Sequence, residues 1–370
     1  MTGPVRGPRA RLLLIAPAAV VLILGLTAGL LLLGLRVPLV TERLPDLHAP
    51  LMVFGFVGTL ISLERAVALR AAWAYTAPLL LVSGAVLTVS PLPLFVGQVL
   101  IVVGSAVHLT QYRAIWLRQP ATATAIQALG AASALVASIA WSGGVSAAPL
   151  VPLLAVFLVL TIAGERLELA RVAAPGRAAE RWFFGGAFAL AAAAVLSLTA
   201  PGVAVPAAGA ILIGVAAWLI RFDVARVTVH QRGLARYVAV NLLLGYGWLI
   251  VAGTGWLLGG ARTEGPLYDA TTHAIFLGFV ITLIMAHAPL ILPAVLRVRI
   301  PYHPALYAPV AVLHLALLVR VVIGDAWGSV LAVQIGGVGG IVAMVAFALT
   351  VVIVATRTRS QEREDHDVTT

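Results

Sequence analysis

The chain has 370 residues, 61% of them hydrophobic and 10% charged, whereas soluble domains average about 45–50% apolar and about 25% charged residues, so the solvent for most of it is a bilayer. Cysteine is absent, which excludes disulfides, thiolate-held iron–sulfur or zinc centres and cysteine nucleophiles. The net charge of +10 comes from arginine without any lysine; these arginines gather in short loops at the ends of apolar runs, where they set membrane topology and do not point to nucleic acid.

The first apolar run, 12–35, follows a basic N-terminal stretch. It is longer than the core of a secretion signal and is predicted to be a span. Further spans are predicted at 48–69, 76–94, 95–112, 122–142, 148–170, 182–200, 203–221, 237–259, 267–296, 303–323 and 328–356, each near the length of about 20 residues that crosses a hydrocarbon core. Pro91 and Pro93 put a very tight turn between the third and fourth. Residues 357–370 are strongly charged, and a disordered cytoplasmic tail is predicted there. With the N-terminus inside, twenty of the 24 arginines fall on the cytoplasmic side and Arg36, Arg43, Arg262 and Arg320 on the other. The prediction is an all-α polytopic membrane bundle of about twelve helices, one unit over 1–356, with both termini cytoplasmic and its outer faces against membrane lipid.

Eight histidines carry most of the chemistry available to such a bundle. His48 opens the second span, with Met52 one turn on and on the same face; an imidazole with a thioether suits copper or a haem axial pair. His273 lies near the start of the tenth span, at the same membrane face, with Asp269 one turn before it to take the other ring N–H. His273 and His287 are close to four turns apart, roughly 21 Å, so a regular helix sets both on one internal seam. His287 and His314 fall at similar depth on consecutive antiparallel spans and are expected to be neighbours near mid-membrane. Buried imidazoles there need a haem iron, a copper ion or a hydrogen-bond network. Backbone carbonyls freed by Pro289 and Pro293 would satisfy them without any cofactor.

Other groups read more plainly. Glu64-Arg65 in span two, Glu165-Arg166 in span six, and His108 with Tyr112 in span four share one depth. They are expected to form a polar cluster near the cytoplasmic end, read first as ion pairs; the Glu-Arg echo is also a faint sign of internal duplication. Gly245, Gly247, Gly253 and Gly255 in span nine, and the run QIGGVGG in span twelve, predict close helix packing. Tyr246 needs a partner for its hydroxyl. His303 fits a helix start, and His230 and His366 fit solvated positions.

Three stretches carry a resemblance. HAPLMVFGF, from His48 to Phe56, resembles the His-Ala-x-x-Met-x-Phe-Gly-Phe signature near the start of the NnrS family. LLGYGW, from Leu243 to Trp248, resembles that family's Leu-Gly-Tyr-Ala-Trp span, and a helix opened by His-Ala, HAIFLGFVITLIMAH from His273, follows at the matching distance. The resemblance implies haem and copper in the membrane, and a part in handling nitric oxide or nitrosative stress; redox turnover and an electron donor are not assigned from it. Residue by residue it carries over His48, Met52, Tyr246 and His273. Pro50 and Leu51 stand where the family has a second His followed by Glu, and Leu243 where it has His, so two family ligands are missing. A looser likeness to the haem–copper oxidase core subunit lacks the adjacent His-His pair that helps to bind copper there.

The expectation is a haem-binding membrane protein, with copper as a second metal. Its ligands would be His48, His273, His287 and His314, with Met52 and Tyr246 beside the cofactor. Its partner would be nitric oxide or another small uncharged molecule. Two readings compete with it: a cofactor-free secondary transporter with proton-coupling histidines, and a structural or assembly membrane protein whose histidines are only packed.

Overall fold

The computed structural model describes residues 8–38, 41–170, 176–296 and 301–368. Its helices are α1 (Pro8–Leu32), α2 (Pro45–Leu69), α3 (Ala72–Val89), α4 (Leu94–Arg118), α5 (Thr122–Ser142) and α6 (Ala147–Ala170) in the first half. The second half has α7 (Arg177–Leu196), α8 (Pro201–Phe222), α9 (Gly233–Gly259), α10 (Gly265–Pro293), α11 (Pro304–Ala326) and α12 (Val330–Val368). Among the described residues there is no strand, and eleven helices are long and apolar enough to cross a membrane; α1 adds a shorter apolar stretch, Ala16–Leu32. The protein is an all-α, multi-pass membrane bundle.

Helix α6 is its axis. It packs against α5, α7, α8 and α10, and 78% of its most apolar stretch is buried, against 22% for α12. Val345, Leu349 and Val352 of α12 are exposed, as a surface facing lipid tails should be.

Close approach depends on glycine. In the α3–α4 hairpin, a Cβ on Gly84 would lie 2.8 Å from the Gly97 carbonyl, and one on Gly97 would lie 2.6 Å from the Gly84 carbonyl. The tight turn at Pro91 and Pro93 is as the sequence suggests: α3 ends at Val89 and α4 starts at Leu94. In α9, Gly253 meets Gly209 of α8, and Gly245 and Gly255 meet α10, while nothing approaches Gly247.

Two features depart from the sequence reading. Helix α12 continues to Val368 through the tail expected to be disordered; no glycine or proline follows Gly340 to stop it. Three spans also carry an eight-residue π-helical stretch, at Leu51–Gly58 in α2, Ala274–Ile281 in α10 and Val319–Ala326 in α11. Such stretches often sit at functional sites, and each here adjoins or contains a polar residue of the cavity described next.

The glycine contact gives a test. Gly97→Leu should overpack α3 against α4 and cost about 1–3 kcal/mol, read as a lower unfolding midpoint in detergent. An unchanged midpoint would contradict this packing.

Candidate functional site

A cavity of about 330 Å³ opens between α1, α2, α6, α10, α11 and α12, and its polar lining is His48, His273, Asp269, Arg320, Tyr268 and Thr272, with the thioethers of Met52 and Met344. His48 and His273 thus line one cavity at one end of the bundle, although their helices, Pro45–Leu69 and Gly265–Pro293, are far apart in the chain.

Helix α1 makes the room for His48. Gly25 and Gly29 form a small-xxx-small face. A Cβ on Gly25 would lie 2.7 Å from the Met52 sulfur, and one on Gly29 would lie 3.0 Å from the His48 ring. The His48 Nδ1 is 2.7 Å from the Gly25 carbonyl oxygen. A carbonyl can only accept, so Nδ1 carries the proton and Nε2 keeps its lone pair.

His273 is held in the same tautomer. Its Nδ1 lies 2.9 Å from the Asp269 carbonyl oxygen and 3.2 Å from that residue's Oδ1. Asp269 is in turn gripped by Arg320, whose Nε and Nη2 donate to the two carboxylate oxygens at 2.7 Å each. Asp325, on the same π-helical stretch as Arg320, interacts with this pair. The run QIGGVGG packs here as expected: Gly336 lies against Arg320 and the Ala316 carbonyl, and Gly337 against the guanidinium. Arg320 is one of the four arginines that the loop charges put at the non-cytoplasmic side, and its position inside the predicted span 303–323 is the signal for its role, since an arginine there requires a carboxylate.

The remaining predicted site residues lie elsewhere. His287 does not line this cavity. The π-helical stretch Ala274–Ile281 lies between it and His273, so the helical period is not regular between the two rings. Its Nδ1 donates to the Leu283 carbonyl at 2.8 Å, and it lies within electrostatic reach of Arg166, Asp223 and Glu64. His314 is also outside the cavity: the Trp248 indole donates to its Nδ1 at 3.0 Å. That bond occupies the Nδ1 lone pair and leaves Nε2 as the N–H, so this tautomer has no free lone pair for a metal. His287 and His314 are each engaged separately and make no described bond to one another.

Tyr246 also belongs to a second polar centre, at the arginine-rich end. Arg166 makes a two-pronged bond to Asp223 at 2.7 and 2.8 Å, and the buried Tyr246 hydroxyl donates to Asp223 at 2.6 Å. Burial pushes the Asp223 carboxyl up, but Arg166, Tyr246 and the Ala225 N–H outweigh it and hold the group below the usual carboxylate range. Nearby, Arg65 joins both Glu-Arg pairs, with Nη2 at 2.8 Å from Glu64 and 2.7 Å from Glu165. The ion-pair cluster expected from the sequence is therefore present. His303 accepts from the Ala305 N–H as a helix-start residue, His230 is exposed, and the His366 side chain lies outside the described residues.

Among the described residues no group of three or more His, Cys, Asp or Glu side chains could hold a metal by themselves. The cavity offers two imidazoles and two thioethers, with the Asp269 carboxylate, already bound to Arg320, and the hydroxyls of Tyr268 and Thr272 beside them. Residues 11–356 match the family model described as a domain of unknown function, DUF8744. No curated protein and no solved structure matches the chain.

The second centre yields a stability test. Asp223→Ala leaves the buried Arg166 unpaired and should cost about 3–5 kcal/mol, while Tyr246→Phe removes one hydrogen bond and should cost about 1 kcal/mol. Equal losses in the two variants, measured by thermal unfolding in detergent, would contradict the arrangement.

Proposed function

The chain belongs to the DUF8744 family, a domain of unknown function, and we propose that it holds a metal, haem iron or copper, between His48 and His273, and presents it to nitric oxide or another small uncharged molecule. One observation carries this reading: two imidazoles from distant spans line one cavity, each with Nδ1–H committed to an acceptor. Fixing one ring nitrogen as donor orients the other as a ligand. The resemblance of the His48 and His273 segments to the NnrS family supports the same assignment.

The donor set fits a metal. Neutral imidazole with thioether suits copper, and an imidazole pair or a His/Met pair suits haem iron. Haem would also need a cation for its propionates, and Arg320, the arginine lining the cavity, is already forked to Asp269; a copper ion needs only the ligand atoms. When bound, the metal would supply ligation of nitric oxide and one-electron chemistry. Asp269, held by Arg320, keeps the His273 ring oriented, and the apolar walls, Val53, Leu277 and Ile281 among them, exclude ions while admitting small uncharged molecules.

The protein resides in the cell membrane with its arginine-rich end, and both termini, in the cytoplasm by the positive-inside rule. His48 and His273 then lie toward the opposite face.

The test is metal analysis with a reduced-minus-oxidised visible spectrum on protein purified from cells supplied with haem and copper. The expected result is near one metal per chain, reduced at least about tenfold in His48→Ala and His273→Ala and retained in His287→Ala and His314→Ala. Gly29→Leu, which fills the space of the His48 ring, should lose metal while keeping its helical content. A metal-free wild type would overturn the proposal in favour of the transporter. Loss only in the His287 or His314 variants would move the site.

A further inference from the structure

Between the cavity and the arginine-rich end, two facing helices carry polar ladders that the metal site does not use. On α2 these are Thr59, Ser62 and Arg65; on α4 they are Ser105, His108 and Tyr112. Each set repeats every three or four residues, so each forms one stripe. The stripes are joined by Gln111, which accepts from His108 Nδ1 at 2.8 Å and donates to the Ser62 carbonyl at 3.1 Å. Thr59, His108 and Tyr112 are at most 1% exposed and Ser105 is 2% exposed.

Five atoms on these stripes are buried without a hydrogen-bond partner: Thr59 Oγ1, Arg65 Nε, Ser105 Oγ, His108 Nε2 and Tyr112 Oη. The Tyr112 hydroxyl faces Thr161 of α6 without forming a bond of ordinary geometry. Native interiors leave few such groups unpaired, and clusters of them mark internal water. Their sequence along the helices gives a direction. Arg65 binds Glu64 and Glu165, whose side chains are 32% and 31% exposed. Six residues back, about 9 Å along α2, is Thr59, and Val57 just beyond it lines the cavity.

We propose that these ladders enclose a file of water molecules that carries protons from Glu64 and Glu165 to the cavity floor. Arg65, Tyr112, Glu64 and Glu165 are the charged and titratable groups acting on the His108 region. With Nδ1–H bonded to Gln111, His108 receives a proton at Nε2 from the water on the Glu165 side and returns it at Nε2 to the next water toward Ser105 and Thr59. The donor water is reprotonated by a carboxyl of Glu64 or Glu165, which takes its proton from solvent through its exposed side, so the path ends each transfer in its starting state. The use of the protons at the cavity rests on the metal-site reading; the existence of the file does not.

The test is hydrogen exchange at the histidine rings of the full-length protein in lipid bilayers, prepared in D2O with 15N-labelled histidine and moved to H2O. The His108 signal is identified by its loss in His108→Gln. The His108 ring should acquire hydrogen faster than the buried amides of α6, without global unfolding, and Tyr112→Phe should slow this about tenfold through loss of one hydrogen-bonding group. A ring that exchanges no faster than the α6 amides, or that is unaffected by Tyr112→Phe, would overturn the proposal. Metal content is measured separately on the same protein, so failure of the water file and failure of the metal site are distinguishable.

Discussion

The fork between Arg320 and Asp269 fixes the arrangement of the whole cavity. In hydrocarbon a guanidinium cannot rely on water and needs a carboxylate partner, so α11 and α10 must bring Arg320 and Asp269 together. Once held, Asp269 has its backbone and side-chain oxygens beside His273 Nδ1, and the ring is left with one nitrogen for other work. The bulk of Arg320 is accommodated by Gly336 and Gly337 of α12. One ion pair thus links three helices and sets the tautomer of a histidine.

The same demand organises the rest of the bundle. Arg166 is paired with Asp223 and the Nη2 of Arg65 with two glutamates, all toward the arginine-rich end. The polar groups therefore fall into an outer set around His48 and His273 and an inner set around α6, linked by the stripes on α2 and α4. Glycine decides where helices approach closely enough for this: Gly25 and Gly29 of α1 receive Met52 and His48.

The spans were legible because their apolar length is set by membrane thickness. The tight turn at Pro91 and Pro93 was legible from proline chemistry. The pairing of Met52 with His48 and of Asp269 with His273 followed from the helical repeat over a single turn. The repeat is not regular over the four turns between His273 and His287, because a π-helical stretch intervenes that no residue pattern announced. His314 was placed by depth alone, and depth does not reveal that Trp248 is beside it. The role of Tyr246 was hidden likewise, since its partner Asp223 lies on another helix end. Gly25 and Gly29 were readable as a small-xxx-small face, but what they receive depended on knowing that α1 packs on α2.

The account rests on His48 and His273 sharing one cavity as Nδ1–H tautomers with Nε2 free. The most direct measurement is the 15N spectrum of the histidine rings in lipid bilayers, before and after addition of copper or haem to metal-free protein. The account predicts that both rings begin as Nδ1–H and that both Nε2 resonances shift together on metal addition, while His314 keeps its signal. A protonated Nε2 on either ring before addition, or metal-induced shifts confined to His287 and His314, would contradict it.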